Sequence, residues 1–79
     1  MYISSSADLG HALRAARKQL GLTQHKLAQT AGVGVRFIVD LEAGKPTAQL
    51  GKMLQVLCNL GGSLHLAGLP SRLPTESVY

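Results

Sequence analysis

The sequence predicts a small all-α protein, a bundle of four to five short helices. Apolar residues recur at three- and four-residue spacing along much of the first 60 positions, and glycines interrupt this pattern at intervals. With 79 residues the chain makes one domain, and folding at this size removes only about 60% of the surface that the unfolded chain exposes. We therefore expect a homodimer, in which a second copy adds to the buried apolar surface.

The predicted helices lie at about 7–20, 24–31, 35–43 and 48–60. Ser5 and Asp8, at the start of the first helix, have the spacing of a capping box. Thr23 and Thr47 are favoured N-cap residues for the second and the last helix. Glycines follow each of these three apolar repeats and act as helix stops.

The segment "VGVRFIVDLEAGK", residues 33–45, is open to two interpretations. Its alternating valines are typical of a strand, whereas Ile38 and Leu41 share one face at helical spacing. A strand here would need a partner, and the only other candidate is the short segment 63–67. The glycines around residue 33 also give a connection of about three residues between two short helices, as in the helix-turn-helix motif. We therefore interpret the segment as a turn, a third helix and an exit turn.

The chain from the last helix onward is predicted to take part in dimerisation. The segment "SLHLA", residues 63–67, alternates like a strand, and two copies can pair antiparallel across a twofold axis. The last helix has an apolar arc wider than one core needs, which indicates a second buried face. The expected dimerisation residues are Met53, Val56, Leu60, Leu64 and Leu66. Residues 1–69 thus form the folded domain, and residues 70–79 form a flexible C-terminal tail.

Basic residues are concentrated in the helical part of the chain. Between residues 14 and 52 there are seven lysines and arginines but two acidic residues, within a net charge of +4 for the chain. This excess favours an acidic partner such as a phosphate backbone, with a solvated basic surface as the alternative.

The sequence lacks the patterns of several other protein classes. No apolar run approaches the roughly 20 residues that span a bilayer, and the N-terminus has no signal-peptide pattern, so we expect a cytoplasmic protein without a membrane partner. It has no phosphate loop and no HExxH motif, and we expect no enzymatic activity. Cys58 and three scattered histidines form no zinc-ligand pattern, so neither a metal nor a cofactor is expected.

Short motifs distributed over the predicted helices carry a family resemblance. The matching residues are Arg17 and Lys18, Gly21 to Gln24, Leu27 and Ala28, Ala31 to Val33, Ile38, Leu41 and Glu42, and Gly44 and Lys45. Over about residues 13–61 the chain resembles the Cro/CI-type (XRE) helix-turn-helix repressor family. The segment from Arg36 to Gly61 is similar to the HipB-like antitoxins of toxin–antitoxin modules whose toxin has a kinase fold.

The resemblance implies a DNA-binding role for the second and third helices. The second helix would cross the DNA backbone, with Gln24 near a phosphate, and the third would lie in the major groove. The expected groove-facing residues are Gly34, Val35, Arg36, Val39 and Asp40. Lys45 would contact a phosphate, and Arg14, Lys18 and Lys26 would be phosphate contacts or solvated charges. Arg17, paired with Glu42 in a salt bridge, would have a structural role first and a phosphate contact second.

Individual side chains of the third helix keep alternative roles. Arg36 would take guanine O6 and N7 or grip a phosphate, and Asp40 would accept from cytosine N4 or orient Arg36. Val35 and Val39 would contact thymine methyls or pack within the protein. For Phe37 we favour packing in the core or the dimer over base stacking.

The expected function follows from the resemblance. It implies a homodimeric repressor that binds a palindromic operator in its own promoter and, as the antitoxin of a type II module, holds a kinase-fold toxin. A stand-alone repressor or controller, as in a phage or restriction module, is the alternative. A third hypothesis, an interaction protein that has lost DNA binding, is disfavoured by Arg36 and Gln24.

Overall fold

A computed structural model describes residues 2–46 and 49–70 of the chain. The described residues form four helices and no strand: α1 Ser6–Gln19, α2 Gln24–Ala31, α3 Val35–Glu42 and α4 Leu50–Asn59. Each bound lies within two residues of its prediction, so the all-α bundle and the helical interpretation of 33–45 are confirmed. No helix in this part of the chain is long and apolar enough to cross a membrane.

The start of α1 has a side-chain cap that departs from the predicted capping box. Ser5 Oγ accepts a hydrogen bond from the backbone N–H of Asp8 at 3.1 Å, as the spacing predicts. The Asp8 carboxylate accepts from the backbone N–H and the hydroxyl of Ser4, at 3.1 and 3.0 Å, whereas a capping box would return to the N–H of Ser5. The backbone bond from Ser4 is the main cause that holds the pKa of Asp8 below its ordinary value.

The second helix begins and ends at the predicted residues. Thr23 Oγ1 accepts from the backbone N–H of Lys26 at 3.0 Å, and the C-cap Gly32 has a φ of +73°. Glycine adopts this left-handed conformation without strain, so the chain turns into α3 within three residues. The last helix begins later than predicted, with Gln49 as its N-cap. The predicted N-cap, Thr47, therefore does not cap it and lies outside the described residues.

The core lies between the four helices. Its members are Leu13, Leu27, Ala28, Ala31, Ile38, Leu41, Met53 and Val56. α3 packs against α1 and α2, and α2 packs also against α4. Ala28 of α2 and Ile38 and Leu41 of α3 are among its members, and the last two lie on the face that their helical spacing indicates.

The same core corrects two of the predicted dimerisation residues. Met53 and Val56 are 7% and 1% exposed and pack inside the single chain. Side chains covered to this extent have almost no surface left for a second copy. The apolar arc of α4 has an inward and an outward side, and residue spacing alone does not say which side packs into the core.

The predicted strand at 63–67 is not confirmed. These residues are exposed and have no regular secondary structure in the single chain. A strand of this segment would need a partner strand, which one copy of the chain does not supply. Apart from Pro70, the predicted tail 70–79 lies outside the described residues, and its flexibility stays a prediction.

The C-terminal end of α3 is held against α1 at two points. A Cβ at Gly10 would lie 2.5 Å from the carbonyl oxygen of Leu41 and 2.8 Å from that of Glu42, so this approach requires glycine. Ser6 Oγ donates to the carbonyl of Gly44, in the turn after α3, at 2.8 Å. These contacts fix the direction in which α3 presents its outer face.

Candidate nucleic-acid interface

A buried ion pair joins α1 to the end of α3. Arg17 Nε and Nη2 donate to the two carboxylate oxygens of Glu42 at 2.6 and 3.0 Å, and Arg17 Nη1 donates to the carbonyl of Leu22 at 2.7 Å. Arg17 and Glu42 are 7% and 8% exposed. The hydrogen bonds to Glu42 raise the pKa of Arg17, against the opposing effect of burial. The predicted salt bridge is therefore present.

This geometry corrects the second role predicted for Arg17. Its guanidinium makes three hydrogen bonds within the fold and is almost entirely covered, so it is not presented to a phosphate. The position of Arg17 in the sequence does not show that this end of α1 is buried, so the sequence could not exclude a phosphate contact. Arg17 is a structural residue that holds α1, the turn after it and α3 together.

Gln24 brings the start of α2 to the same carboxylate. Its Nε2 donates to Glu42 Oε1 at 3.2 Å, the oxygen that also accepts from Arg17 Nη2. Glu42 thus accepts three hydrogen bonds, from α1 and from the first residue of α2. The second N–H of the Gln24 amide is not needed for this contact. Gln24 is half-buried, and its predicted phosphate contact stays a prediction.

The outer face of α3 carries most of the predicted groove-facing set. Ile38, Leu41 and Glu42 occupy the buried face, which leaves the opposite face to the remaining residues of the helix. The Arg36 side chain is 77% exposed at the centre of that outer face. Gly34, the N-cap of α3, is also exposed. The Arg36 side chain and the N-terminal end of α3 therefore meet solvent where the resemblance places the major groove.

The apolar residues of α3 divide between the core and the outer face. Val35 and Phe37 are half-buried and pack against the edge of the core. Phe37 also has Lys52 Nζ above its ring, 5.9 Å from the centroid, which agrees with the packing role favoured for it. Val39 instead lines an open groove on the outside of the protein. Of the three side chains, Val39 is the one that faces outward and does not pack against the core.

The groove beside Val39 lies between α1, the start of α2 and the end of α3. Its lining residues are His11, Arg14, Gln24, Val39, Glu42 and Ala43. Lys18 is exposed and follows Arg14 at i+4, so His11, Arg14 and Lys18 share one face of α1. The sequence did not distinguish Arg14 and Lys18 from solvated charges, and it gave no role to His11. Their i, i+3, i+7 spacing places them on one face of α1. Only the packing of α1 beside α3 shows that this face borders the groove.

Asp40 lies between two cations on the outer face of α3. Its Oδ1 is 3.5 Å from Arg36 Nε and 3.4 Å from Lys45 Nζ. The contact with Arg36 is the i, i+4 pair considered from the sequence, whereas the contact with Lys45 was not anticipated. Lys45 follows the glycine turn at Gly44, where φ is +79°, so helical spacing does not apply to it.

A second exposed surface lies on α4. Leu50 and Leu54 are 60% and 39% exposed, and with the exposed Cys58 they follow i, i+4, i+8 spacing along one face. We call these three residues the α4 stripe. Leu60 is half-buried and packs against the core, whereas Leu64 and Leu66 are 55% and 74% exposed. In the part of the chain from α4 onward that the structure describes, the α4 stripe, Leu64, Leu66 and Leu69 thus offer apolar surface to a second copy.

The described residues contain no group of histidine, cysteine, aspartate or glutamate side chains that could hold a metal ion. The site consists instead of a helix face, two helix ends and exposed cations. An arrangement of this kind can bind a polyanion and contact base edges, since Arg36 is exposed on α3 and further exposed cations lie on α1 and in the exit turn.

Comparison with known proteins agrees with this geometry. Residues 13–66 match the helix-turn-helix family HTH_3. A relative described as an uncharacterized HTH-type transcriptional regulator, y4mF, of Sinorhizobium fredii is 59% identical over 64 residues, which cover 81% of this chain and 84% of the relative.

Solved structures of similar fold include two HipB complexes. The chain is 27% identical, with a TM-score of 0.79, to a chain of a HipA-HipB-O2-O3 complex, and the match covers 89% of this chain and 99% of that one. A chain of a HipB-O4 20mer complex gives the same identity and coverage with a TM-score of 0.78. This chain therefore belongs to the helix-turn-helix family of XRE-type DNA-binding transcriptional regulators.

Proposed function

We propose that this protein is a sequence-specific repressor that binds a palindromic operator in its own promoter and also acts as the antitoxin of a type II toxin–antitoxin module. The observation that carries the DNA-binding part is the arrangement of α2 and α3 around Glu42. One buried carboxylate fixes the start of α2 and the end of α3, and Arg36 stands exposed on the outer face of α3.

In this proposal α3 enters the major groove and α2 crosses the backbone, the docking geometry of helix-turn-helix repressors. The start of α2 would meet a phosphate through Gln24 and through backbone N–H groups that the helix leaves free. Arg36 is long enough to reach guanine O6 and N7 in a bidentate pair. Val39 would pack on thymine methyls. Lys45 and Lys18 would contact phosphates on either side, and Gly34 and Val35 would approach the groove at the start of α3.

A palindromic operator requires a twofold-symmetric dimer, with half-sites about one helical turn of DNA apart. The α4 stripe, Leu64 and Leu66 supply the apolar surface for it. Full burial of one leucine contributes about 1.5–3 kcal/mol, so a few such side chains from each copy make a substantial interface. Antiparallel pairing of the two 63–67 segments across the axis would complete the strand that the single chain lacks.

The antitoxin part of the proposal rests on the structural relatives. One of them is a chain of a HipA-HipB-O2-O3 complex, and the match covers 89% of this chain. We infer a kinase-fold toxin as the third partner, bound away from the outer face of α3. The alternative is a stand-alone repressor of the same fold, which the match to an HTH-type transcriptional regulator equally supports.

Replacing Arg36 by alanine is expected to weaken binding to a fragment of the protein's own promoter, located by footprinting with the wild type, by about 1–3 kcal/mol, because a base contact is lost. Arg36→Lys keeps the charge but not the bidentate fork, and should recover only part of the affinity. Fluorescence anisotropy with the promoter fragment gives both values. Wild-type affinity in Arg36→Ala would remove Arg36 from the interface.

Introducing a charge into the α4 stripe is expected to break the dimer. Leu54→Glu places a carboxylate where an apolar contact would form, so the variant should be monomeric at concentrations at which the wild type is dimeric. Leu20→Glu is the matched control, since Leu20 is 56% exposed at the end of α1 and away from the stripe. Analytical ultracentrifugation compares the three proteins. A dimeric Leu54→Glu protein would contradict this interface.

Co-expression with the neighbouring gene tests the antitoxin assignment. A kinase-fold product should copurify with this protein and should lose its toxicity in its presence. The Arg36→Ala variant should retain this complex while its promoter affinity falls, because toxin binding uses another surface. If no adjacent reading frame encodes a kinase fold, or if its product does not bind, the stand-alone repressor is the correct function.

A further inference from the structure

The feature that the DNA-binding proposal leaves unexplained is a carboxylate on the outer face of α3. Asp40 is 32% exposed as a side chain and lies on the surface that would face a polyanion. A negative charge there opposes approach to phosphates. It must therefore have a compensating role if α3 reads DNA.

The two cations around Asp40 are held loosely. Arg36 Nε and Lys45 Nζ lie 3.5 and 3.4 Å from the same Oδ1, and their side chains are 77% and 58% exposed. Within the described part of the chain, this covered oxygen accepts no hydrogen bond. Exposed ion pairs of this kind contribute little to stability. Either cation can therefore leave Asp40 for a phosphate or a base, and the carboxylate is then left to find a donor.

Base edges differ in what they offer to such a carboxylate. In the major groove, cytosine N4 donates, whereas guanine O6 and N7 and thymine O4 only accept. Asp40 would thus be satisfied opposite an amino group and repelled elsewhere. Phosphates carry a negative charge and acceptor edges a partial negative charge, so both repel the Asp40 carboxylate.

On the basis of the proposed DNA-binding function, we propose that Asp40 is a specificity-determining residue that suppresses binding to non-cognate DNA. In the free protein it draws Arg36 and Lys45 together and cancels part of their charge. On the cognate site a base amino group donates to it and both cations are released to their contacts. On other sequences the carboxylate remains unpaired, and binding is weaker.

A role that only orients Arg36 predicts a different result on non-cognate DNA. If Asp40 did no more than position the guanidinium, removal of its charge would weaken cognate binding and leave non-cognate binding unchanged. In the present proposal Asp40→Asn tightens non-cognate binding. A gain in non-cognate affinity therefore separates the two roles.

The experiment compares wild type, Asp40→Asn and Asp8→Asn on the promoter fragment and on a mixed-sequence duplex of the same length, over a series of salt concentrations. Asp8→Asn is the matched control because it changes net charge equally, and the Asp8 carboxylate is bonded only at the start of α1. Circular dichroism verifies that each variant is folded.

Asp40→Asn is expected to bind the mixed-sequence duplex more tightly and with a steeper dependence on salt. Each additional phosphate contact steepens the log–log slope by about 0.9, so between 50 and 200 mM salt its affinity should fall about three- to fourfold further per protomer. Its preference for the promoter fragment should fall at least about fivefold. Asp8→Asn should match the wild type in both respects.

Two results would overturn the inference. One is an Asp40→Asn protein whose mixed-sequence affinity and salt slope equal those of the wild type, or whose affinity is lower. The other is an equal change in Asp8→Asn, which would assign the effect to net charge. If the wild type and both variants bind neither duplex, the proposed DNA-binding function itself is wrong and the inference falls with it.

Discussion

The buried carboxylate of Glu42 is the constraint on which the rest of the structure depends. It accepts two hydrogen bonds from Arg17 of α1 and one from Gln24 of α2, and it is the last residue of α3. A charge of this kind is stable in the interior only while its partners are present, since a buried carboxylate without them costs several kcal/mol. Three helices are thereby tied to one point.

This constraint matters because α3 is too short to hold itself in place. A helix of eight residues is only marginally stable in water, so its direction must come from tertiary contacts. Ile38 and Leu41 bury one face, and Gly10 lets α1 approach the carbonyls at the end of the helix. The opposite face is consequently fixed in space with Arg36 outward. If this face binds DNA as proposed, its rigidity keeps the loss of conformational entropy on binding small.

The sequence predicts the part of this structure that depends on local pattern. Capping residues and apolar spacing located the four helices, and family motifs located the Arg17–Glu42 pair. The local pattern does not predict contacts that depend on how the elements pack together. Lys45 contacts Asp40 across a glycine turn, and Gln24 contacts Glu42 from another helix. The error at Met53 and Val56 has the same origin, because an arc that is apolar on two sides does not reveal which side faces inward.

The free energy of unfolding of Arg17→Met, measured beside that of the double variant Arg17→Met/Glu42→Met by urea denaturation, tests the central claim most directly. The single change should cost about 3 kcal/mol or more, because it leaves the Glu42 carboxylate buried without its main partner. The double variant should recover most of that loss, since no charge remains to be satisfied. A single variant as stable as the wild type, or a double variant no more stable than the single, would contradict the account.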